Sequence, residues 1–247
     1  MSSYSSEYKR KLTTPENAIM KAKSGDTIIH GQGVSAPPAL LAAIDDRARA
    51  GDLKDIKIFS LLPLEHVRTT YLAPDLCDCI HAYSWFLSSL DRPLVKVGLE
   101  YFVPNYFHQV PRLIRDFMQV DITMATVSPM DKAGYFSFGT ANDFISTAAR
   151  HCKRLIVEVN ENMPRVFGDS LLHISEVDAI VENDIPLLEL TPPEPQPEDE
   201  IIAKYIAEMV PDGATIQLGW GGVFQITLLA FLWTTETWEF IQKSSAQ

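Results

Sequence analysis

Short apolar runs alternate with amphipathic stretches along most of the chain, and polar turns separate them. The apolar runs are rich in β-branched residues and predict strands, whereas stretches with apolar residues every three or four positions predict helices. Strands are predicted over residues 27–30, 56–62, 122–127, 155–159, 178–181 and 214–218. Helices are predicted over residues 7–12, 39–50, 110–117, 141–150 and 201–210, and a further helix has Thr14 as its N-cap and Pro15 at its first position. This order predicts an α/β fold with a mostly parallel open sheet and flanking helices.

A proline- and acid-rich stretch at residues 191–200 predicts a boundary between two domains. It holds four prolines and four acids in ten residues, which is typical of a stiff, extended linker. We expect one domain over residues 1–190. Residues 201–223 are predicted to be the first helix and strand of a second, similar domain, because they repeat the helix, turn, strand and glycine-rich loop of the first.

The acidic balance of the chain argues against nucleic acid and membranes as partners. Its 247 residues carry a net charge of −11 with a pI near 5.0, whereas nucleic acid and anionic membranes require a basic surface. No apolar run reaches the roughly 18–20 residues of a membrane span, and the N-terminus has no apolar signal core. The chain has only three cysteines, an odd and low number that favours a reducing compartment over a disulfide framework. We expect the cytoplasm, or alternatively a mitochondrion or related organelle. Cys77 and Cys79 lack the spacing and the second ligand pair of a metal site, so no metal is expected.

Polar loops follow the two longest predicted strands, at residues 128–134 and 160–165. Ligands of open α/β sheets bind where strands end in such loops, although most loops only connect. Two glycines flank Gln32 after the first strand, but a dinucleotide fingerprint would need a third at Ala36, so a tight turn is the simpler interpretation. Three histidines have no catalytic or metal-binding spacing and are predicted to be structural: His66, His81 and His108.

Two long blocks carry a family resemblance, VSPMDKAGYFSFG at residues 127–139 and EVNENMPR at residues 158–165. Shorter matching blocks lie at residues 11–13, 24–26, 168–170, 173–175 and 218–223. Together they resemble the acetyl-CoA hydrolase/transferase family, which includes 4-hydroxybutyrate, butyryl and succinyl CoA-transferases. The resemblance runs from about residue 8 to residue 223.

The resemblance implies two α/β domains of similar topology with the active site between them. A glutamate of the second domain attacks the acyl-CoA, and a mixed anhydride and then a glutamyl-CoA thioester form. Coenzyme A is then a substrate, as its thioester, and no bound cofactor is implied. The implied partners are an acyl-CoA and a small carboxylate such as acetate, and members of the family commonly form homo-oligomers. The glycine loop near CoA corresponds here to Gly219, Trp220, Gly221, Gly222 and Val223.

Six residues of the first domain are candidates for a pocket around the acyl group. They lie on or near loops at the carboxyl ends of predicted strands, where they could face a ligand. For each of them, ordinary loop structure is an equally good interpretation. The candidates are Gln32, Gly33, Ser35, Ser128, Pro129 and Asn142.

Residues 224–247 depart from the family. We asked which peptides the codons permitted for this tail could encode in a shifted reading frame. Codons for residues 232–243 can then encode Met-Asp-His-Arg-Asp-Leu-Gly-Ile-His-Thr-Glu, and codons for residues 224–226 can encode Pro-Asn. Both strings are what the family has next, so we interpret this tail as aberrant and frameshifted, which sequencing of the DNA tests. No acid among the 247 residues matches the family's glutamate, and we expect no turnover by them. The alternative is a non-catalytic CoA- or protein-binding remnant of the same fold.

Overall fold

A computed structural model describes residues 4–189, 196–211, 213–218 and 239–242 of the chain. The chain divides into two compact units, residues 1–188 and 189–247. The helices of the first unit are α1 (Tyr4–Lys11), α2 (Pro15–Ile19), α3 (Pro38–Arg49), α4 (Glu65–Arg68), α5 (Asp91–Lys96), α6 (Val110–Phe117) and α7 (Ile145–His151). Its strands are β1 (Thr27–His30), β2 (Ile56–Ser60), β3 (Ile80–Ser84), β4 (Glu100–Phe102), β5 (Val120–Val127), β6 (Tyr135–Ser137), β7 (Cys152–Val159), β8 (Leu171–His173) and β9 (Ala179–Glu182).

Seven strands of the first unit form one parallel sheet in the order β4-β3-β2-β1-β5-β7-β9. The register places Ile28 of β1 beside Ile58 on one side and Ile122 on the other. Strands β6 and β8 form a separate antiparallel pair. The predicted α/β fold with a mostly parallel open sheet and flanking helices is confirmed.

Helices cover both faces of this sheet, so each face has its own apolar core. In β1, Ile28 packs in the core beneath α3, whereas Ile29 packs in the core beneath α6 and α7. Seven of the eight residues of β5 are buried, and a strand buried on both faces has a nearly continuous apolar sequence. That property explains why this strand was visible in the sequence.

The second unit is described only in part. It contains α8 (Pro197–Met209) and the parallel strands β10 (Thr215–Leu218) and β11 (Glu239–Gln242). Helix α8 begins four residues before the predicted start at residue 201, because Pro197 occupies its first position and Asp199 accepts a hydrogen bond from the backbone of Gln196. No helix in the described ranges is long and apolar enough to cross a lipid bilayer.

Several predicted bounds in the first unit were wrong, and two strands were missed. Helix α7 begins at Ile145 and not at residue 141, since the Asp143 carboxylate accepts a hydrogen bond from the Phe144 N–H and holds the chain in a loop. Strand β2 ends at Ser60 and not at residue 62, because Leu62 adopts a left-handed conformation with φ of 49°. Strands β3 and β4 were missed, as both are short and carry polar residues.

Two acids are buried at the edge of the sheet. Asp91 is the first residue of α5 and Glu100 the first of β4, and their exposed fractions are 0% and 2%. Among the described residues, neither oxygen of Glu100 has a hydrogen-bond partner. Burial raises the pKa of Glu100 to about 8, and the nearby charge of Asp91 adds to the effect.

Replacing Glu100→Gln should flatten the dependence of stability on pH. The pKa of Glu100 in the folded state lies above the ordinary value of 4.5. The protonated carboxyl therefore contributes its full share to the stability of the fold below pH 4.5, and this contribution is lost as the pH rises towards about 8. Each unit of pKa shift corresponds to about 1.4 kcal/mol. Urea unfolding at several pH values between these limits measures the slope. The exposed Glu65→Gln is the matched control, and an equal slope in wild type and E100Q would contradict the prediction.

Candidate functional site

The order of the strands produces a topological switch point beside β1. From β1 the chain moves outward through β2, β3 and β4, and then returns to place β5 on the other side of β1. Connections that leave neighbouring parallel strands in opposite directions open a crevice at the carboxyl ends of those strands. A ligand site is therefore expected between the loops that follow β1 and β5.

A cavity of about 80 Å³ lies at this crevice. By the same measure a water molecule needs roughly 10–15 Å³, so the cavity has room for a short chain of carbon atoms. Its walls come from the loop after β1, α3, α4, β5, the loop after β7 and the last residues of the first unit. The lining residues are Val34, Ala36, Pro38, His66, Thr126, Asn160 and residues 185–188.

Two polar side chains of the cavity wall have a buried atom without a hydrogen-bond partner in the described part of the chain, Nδ1 of His66 and Oγ1 of Thr126. Nε2 of His66 lies 3.3 Å from the carbonyl oxygen of Ala36, which assigns the proton to Nε2 and leaves Nδ1 as an acceptor. Burial lowers the pKa of His66, so the ring is neutral. The cavity wall is mostly apolar, and its residues include one acceptor and one hydroxyl group, both of them buried.

The loop after β1 is held by a buried histidine. Nδ1 of His30 donates to the carbonyl oxygen of Gly31 at 2.7 Å, and Nε2 accepts from the Tyr71 hydroxyl at 2.9 Å. Burial lowers the pKa of His30 to about 4, so the ring stays neutral. A side chain at Gly31 would collide with Ser35, so only glycine permits this turn.

Glu158 connects three parts of the cavity wall. Its carboxylate accepts from the backbone N–H groups of Ala39 and Leu40, at 3.0 and 3.1 Å, and from the Asn183 amide at 2.7 Å. These partners lie in the first turn of α3 and just after β9. Burial raises the pKa of Glu158 to about 7, while these hydrogen bonds act in the opposite direction.

The segment at residues 185–188 covers one side of the cavity. The side-chain amides of Asn160 and Asn162 both donate to the carbonyl oxygen of Ile185, at 2.8 and 3.2 Å. The Glu161 N–H donates to the Asp184 carboxylate at 2.8 Å. The loop after β7, which is part of the block EVNENMPR, therefore fastens this segment over the cavity.

The six predicted pocket residues lie around the crevice, but none of them is among the residues that line this cavity. Ser35 is buried and donates to the Thr126 carbonyl oxygen at 3.3 Å. Ser128 accepts from the Ser137 N–H at 2.9 Å, which fastens β6 to the loop after β5. Gly33 adopts a positive φ in the turn after β1, and Pro129 is exposed.

Gln32 and Asn142 each have a buried side-chain oxygen without a partner in the described ranges. The Asn142 amide donates to the backbone of Asp169 at 2.7 Å. The five residues predicted to contact CoA, 219–223, lie outside the described residues, as does most of residues 224–247.

Sequence reasoning missed His66 and Thr126 as cavity residues. Thr126 is one of several polar residues in an apolar strand, and His66 was interpreted as structural. The one available signal was the position of Thr126 near the carboxyl end of β5, since the approach of α4 to this strand is a tertiary contact.

The fold and this site define an α/β protein with a cavity at the switch point of a parallel sheet. The family model described as "Acetyl-CoA hydrolase/transferase N-terminal domain" matches residues 1–189. The chain belongs to this family, as its sequence blocks predicted.

Named relatives and solved structures agree with this assignment. Succinyl-CoA:cyclohexane-1-carboxylate CoA transferase of Geobacter metallireducens is 40% identical over 221 residues, covering 90% of this chain and 49% of that protein. 4-Hydroxybutyrate coenzyme A transferase of Clostridium kluyveri is 34% identical over 227 residues, covering 90% and 51%. The crystal structure of RipA from Yersinia pestis superposes with a TM-score of 0.93 and 40% identity, covering 98% and 57%. The chain thus spans about half the length of these relatives.

Two threonines of β5 should respond oppositely to replacement by valine. Thr123 donates to the Ala148 carbonyl oxygen at 3.1 Å, so Thr123→Val removes a buried hydrogen bond and should cost about 0.5–1.5 kcal/mol. Thr126→Val removes a hydroxyl that has no partner among the described residues, so stability should be unchanged or higher. Urea unfolding compares the two variants, and a loss in T126V as large as in T123V would contradict this difference.

Proposed function

We propose that the protein takes part in transfer of coenzyme A between an acyl-CoA and a small carboxylate such as acetate. The observation that carries this proposal is the cavity at the switch point, in a chain 40% identical to a CoA transferase. Its apolar walls suit a short acyl chain, and the Thr126 hydroxyl, which has no partner among the described residues, can donate to the carbonyl oxygen of that chain. The sparse cysteines support a reducing compartment such as the cytoplasm.

The proposed reaction proceeds through covalent intermediates on a glutamate. The glutamate carboxylate adds to the thioester carbonyl and expels the CoA thiolate, which leaves a mixed anhydride. The thiolate then attacks the glutamyl carbonyl, so that the free carboxylate leaves and a glutamyl-CoA thioester remains. The acceptor carboxylate repeats these steps in reverse, and no oxidant or reductant is needed.

The first unit contributes binding and orientation to this reaction. Thr126 can donate its hydroxyl hydrogen to the carbonyl oxygen of the acyl group, whereas Nδ1 of neutral His66 is an acceptor and does not bind that oxygen. The apolar side chains around them exclude water from the acyl chain. Because no acid of the 247 residues matches the family's glutamate, we propose that these residues bind the acyl group but do not complete the transfer by themselves.

The purified 247-residue chain should show no exchange of label between acetyl-CoA and isotopically labelled acetate. The reason is the missing nucleophile, since removal of a covalent catalyst abolishes both half-reactions. Label exchange followed by mass spectrometry measures this. Exchange above the rate of a protein-free control would overturn the proposed inactivity and would require a nucleophile within these residues.

Binding of a short acyl group should depend on Thr126. We expect S-butyryl-pantetheine to bind the wild-type chain weakly, and Thr126→Val to weaken that binding about 2- to 10-fold through loss of one neutral hydrogen bond. Titration followed by saturation-transfer NMR measures it. Thr123→Val is the matched control, because its hydroxyl is engaged by Ala148 instead of the cavity. Equal binding by wild type and T126V would contradict the proposal that the acyl group binds in this cavity.

A further inference from the structure

The Thr126 hydroxyl is closed off from solvent, although the proposed acyl group has to reach it. Thr126 is 1% exposed, and its Oγ1 is buried without a partner among the described residues. Nδ1 of His66, in the wall of the same cavity, is buried as well. A ligand therefore contacts Thr126 only after part of the cavity wall has moved.

Most parts of the cavity wall are fixed by the core of the first unit. Strand β5, which carries Thr126, pairs with β1 on one side and with β7 on the other. The first turn of α3 donates two backbone N–H groups to the Glu158 carboxylate. The loop after β1 bonds to β5 through Ser35, and α4 places Val67 in the apolar core. None of these elements moves without breaking contacts of the core.

Residues 184–188 are attached differently, since all their hydrogen bonds within the described ranges come from one loop. The side-chain amides of Asn160 and Asn162 both donate to the carbonyl oxygen of Ile185, at 2.8 and 3.2 Å. The backbone N–H of the residue between them donates to the Asp184 carboxylate at 2.8 Å. Three consecutive residues of the loop after β7 thus clamp the start of the segment.

The rest of this segment covers the cavity without such bonds. Pro186 has no N–H to donate, and Leu187 makes no hydrogen bond in the described part of the chain. Ile185 and Leu188 are 45% and 41% exposed, so water already reaches their outer side. Segments with few buried contacts and few backbone hydrogen bonds open locally at a low cost in free energy. Opening of this segment removes one wall of the cavity.

We propose that residues 184–188 are a strap that opens to admit the acyl group to Thr126, and that Asn160 and Asn162 hold it closed. Strand β9 ends before the strap, and the first unit ends at Leu188, so the strap opens without breaking the sheet. The identity of the ligand rests on the proposed function, whereas opening of the strap is measured without any ligand.

A thiol introduced into β5 reports the opening. Thr126→Cys places a thiol where the hydroxyl is buried, and iodoacetamide alkylates it only while the cavity is open. Thr123→Cys is the matched reporter, because Thr123 is 0% exposed in the same strand and bonds to α7 instead of lining the cavity. Its thiol reacts only when the whole unit unfolds. Peptide mass spectrometry on the full 247-residue chain measures each rate and separates it from those of the three native cysteines.

Asn162→Asp should raise the alkylation rate at position 126 about 3- to 10-fold and leave the rate at position 123 unchanged. The substitution replaces the donating amide by a carboxylate of the same shape, which cannot donate to the Ile185 carbonyl oxygen. Asp184→Ala should have an effect of similar size, because it removes the acceptor of the loop N–H. Both clamp variants are combined with each reporter.

Asp184→Asn is the matched control, because its side chain keeps an oxygen that accepts from the loop N–H. Alkylation at position 126 should be the same in D184N as in the reporter alone. Equal rates at this position in N162D, D184A and the reporter alone would overturn the strap. An equal rise at positions 126 and 123 would also overturn it, because the variants would then act through global unfolding. Alkylation of the folded reporter as fast as in urea would show that no opening is needed.

Excess S-butyryl-pantetheine separates the strap from the proposed function. If the acyl group binds in the cavity, this ligand slows alkylation at position 126. Absence of protection, together with faster alkylation in N162D, would leave the strap standing and contradict the proposed acyl site. Protection by the ligand without any effect of N162D and D184A would overturn the strap alone.

Discussion

The Glu158 carboxylate connects the segments that enclose the cavity. It lies near the carboxyl end of β7 and is fully buried, and it accepts hydrogen bonds from the first turn of α3 and from Asn183. A buried carboxylate is tolerated only where such donors surround it, so α3 and the segment after β9 must dock together for the site to exist. Its placement at a helix N-terminus adds the favourable interaction with the helix dipole. The cavity thus depends on one satisfied carboxylate.

The position of β1 explains why two unrelated sets of polar groups occur at one edge. Because β1 is central, the loop that follows it meets partners on both faces of the sheet. On the α3 face, Val34 and Ala36 join Thr126 and His66 around an apolar cavity. On the α7 face, Gln32 approaches Asp143. Residues of one short loop therefore contribute to two different environments, and the glycine at position 31 makes this turn sterically feasible.

Local signals located most of the regular structure correctly. β5 and β7 were visible because strands buried on both faces are apolar throughout. Helix α6 was placed at its observed bounds, as its apolar face repeats with helical spacing. Local signals failed where a tertiary contact decides the conformation. Among the described residues, edge strand β4 pairs only with β3 and has three residues. Asn142 lies in a loop because the Asp143 carboxylate accepts from the backbone N–H of Phe144.

The sequence alone determined the family and the class of fold, because long blocks such as EVNENMPR and the spacing of apolar runs are local properties of the chain. It also located the loops that surround the site. Which side chains face one another was decided only by the tertiary structure. His66 and Thr126 line the same cavity although 60 residues separate them in the chain, because the order of the strands brings their elements together. Burial then lowers the pKa of His66 and leaves its Nδ1 and the Thr126 hydroxyl without a partner in the described part of the chain. Burial is a property of the folded molecule that no stretch of sequence contains.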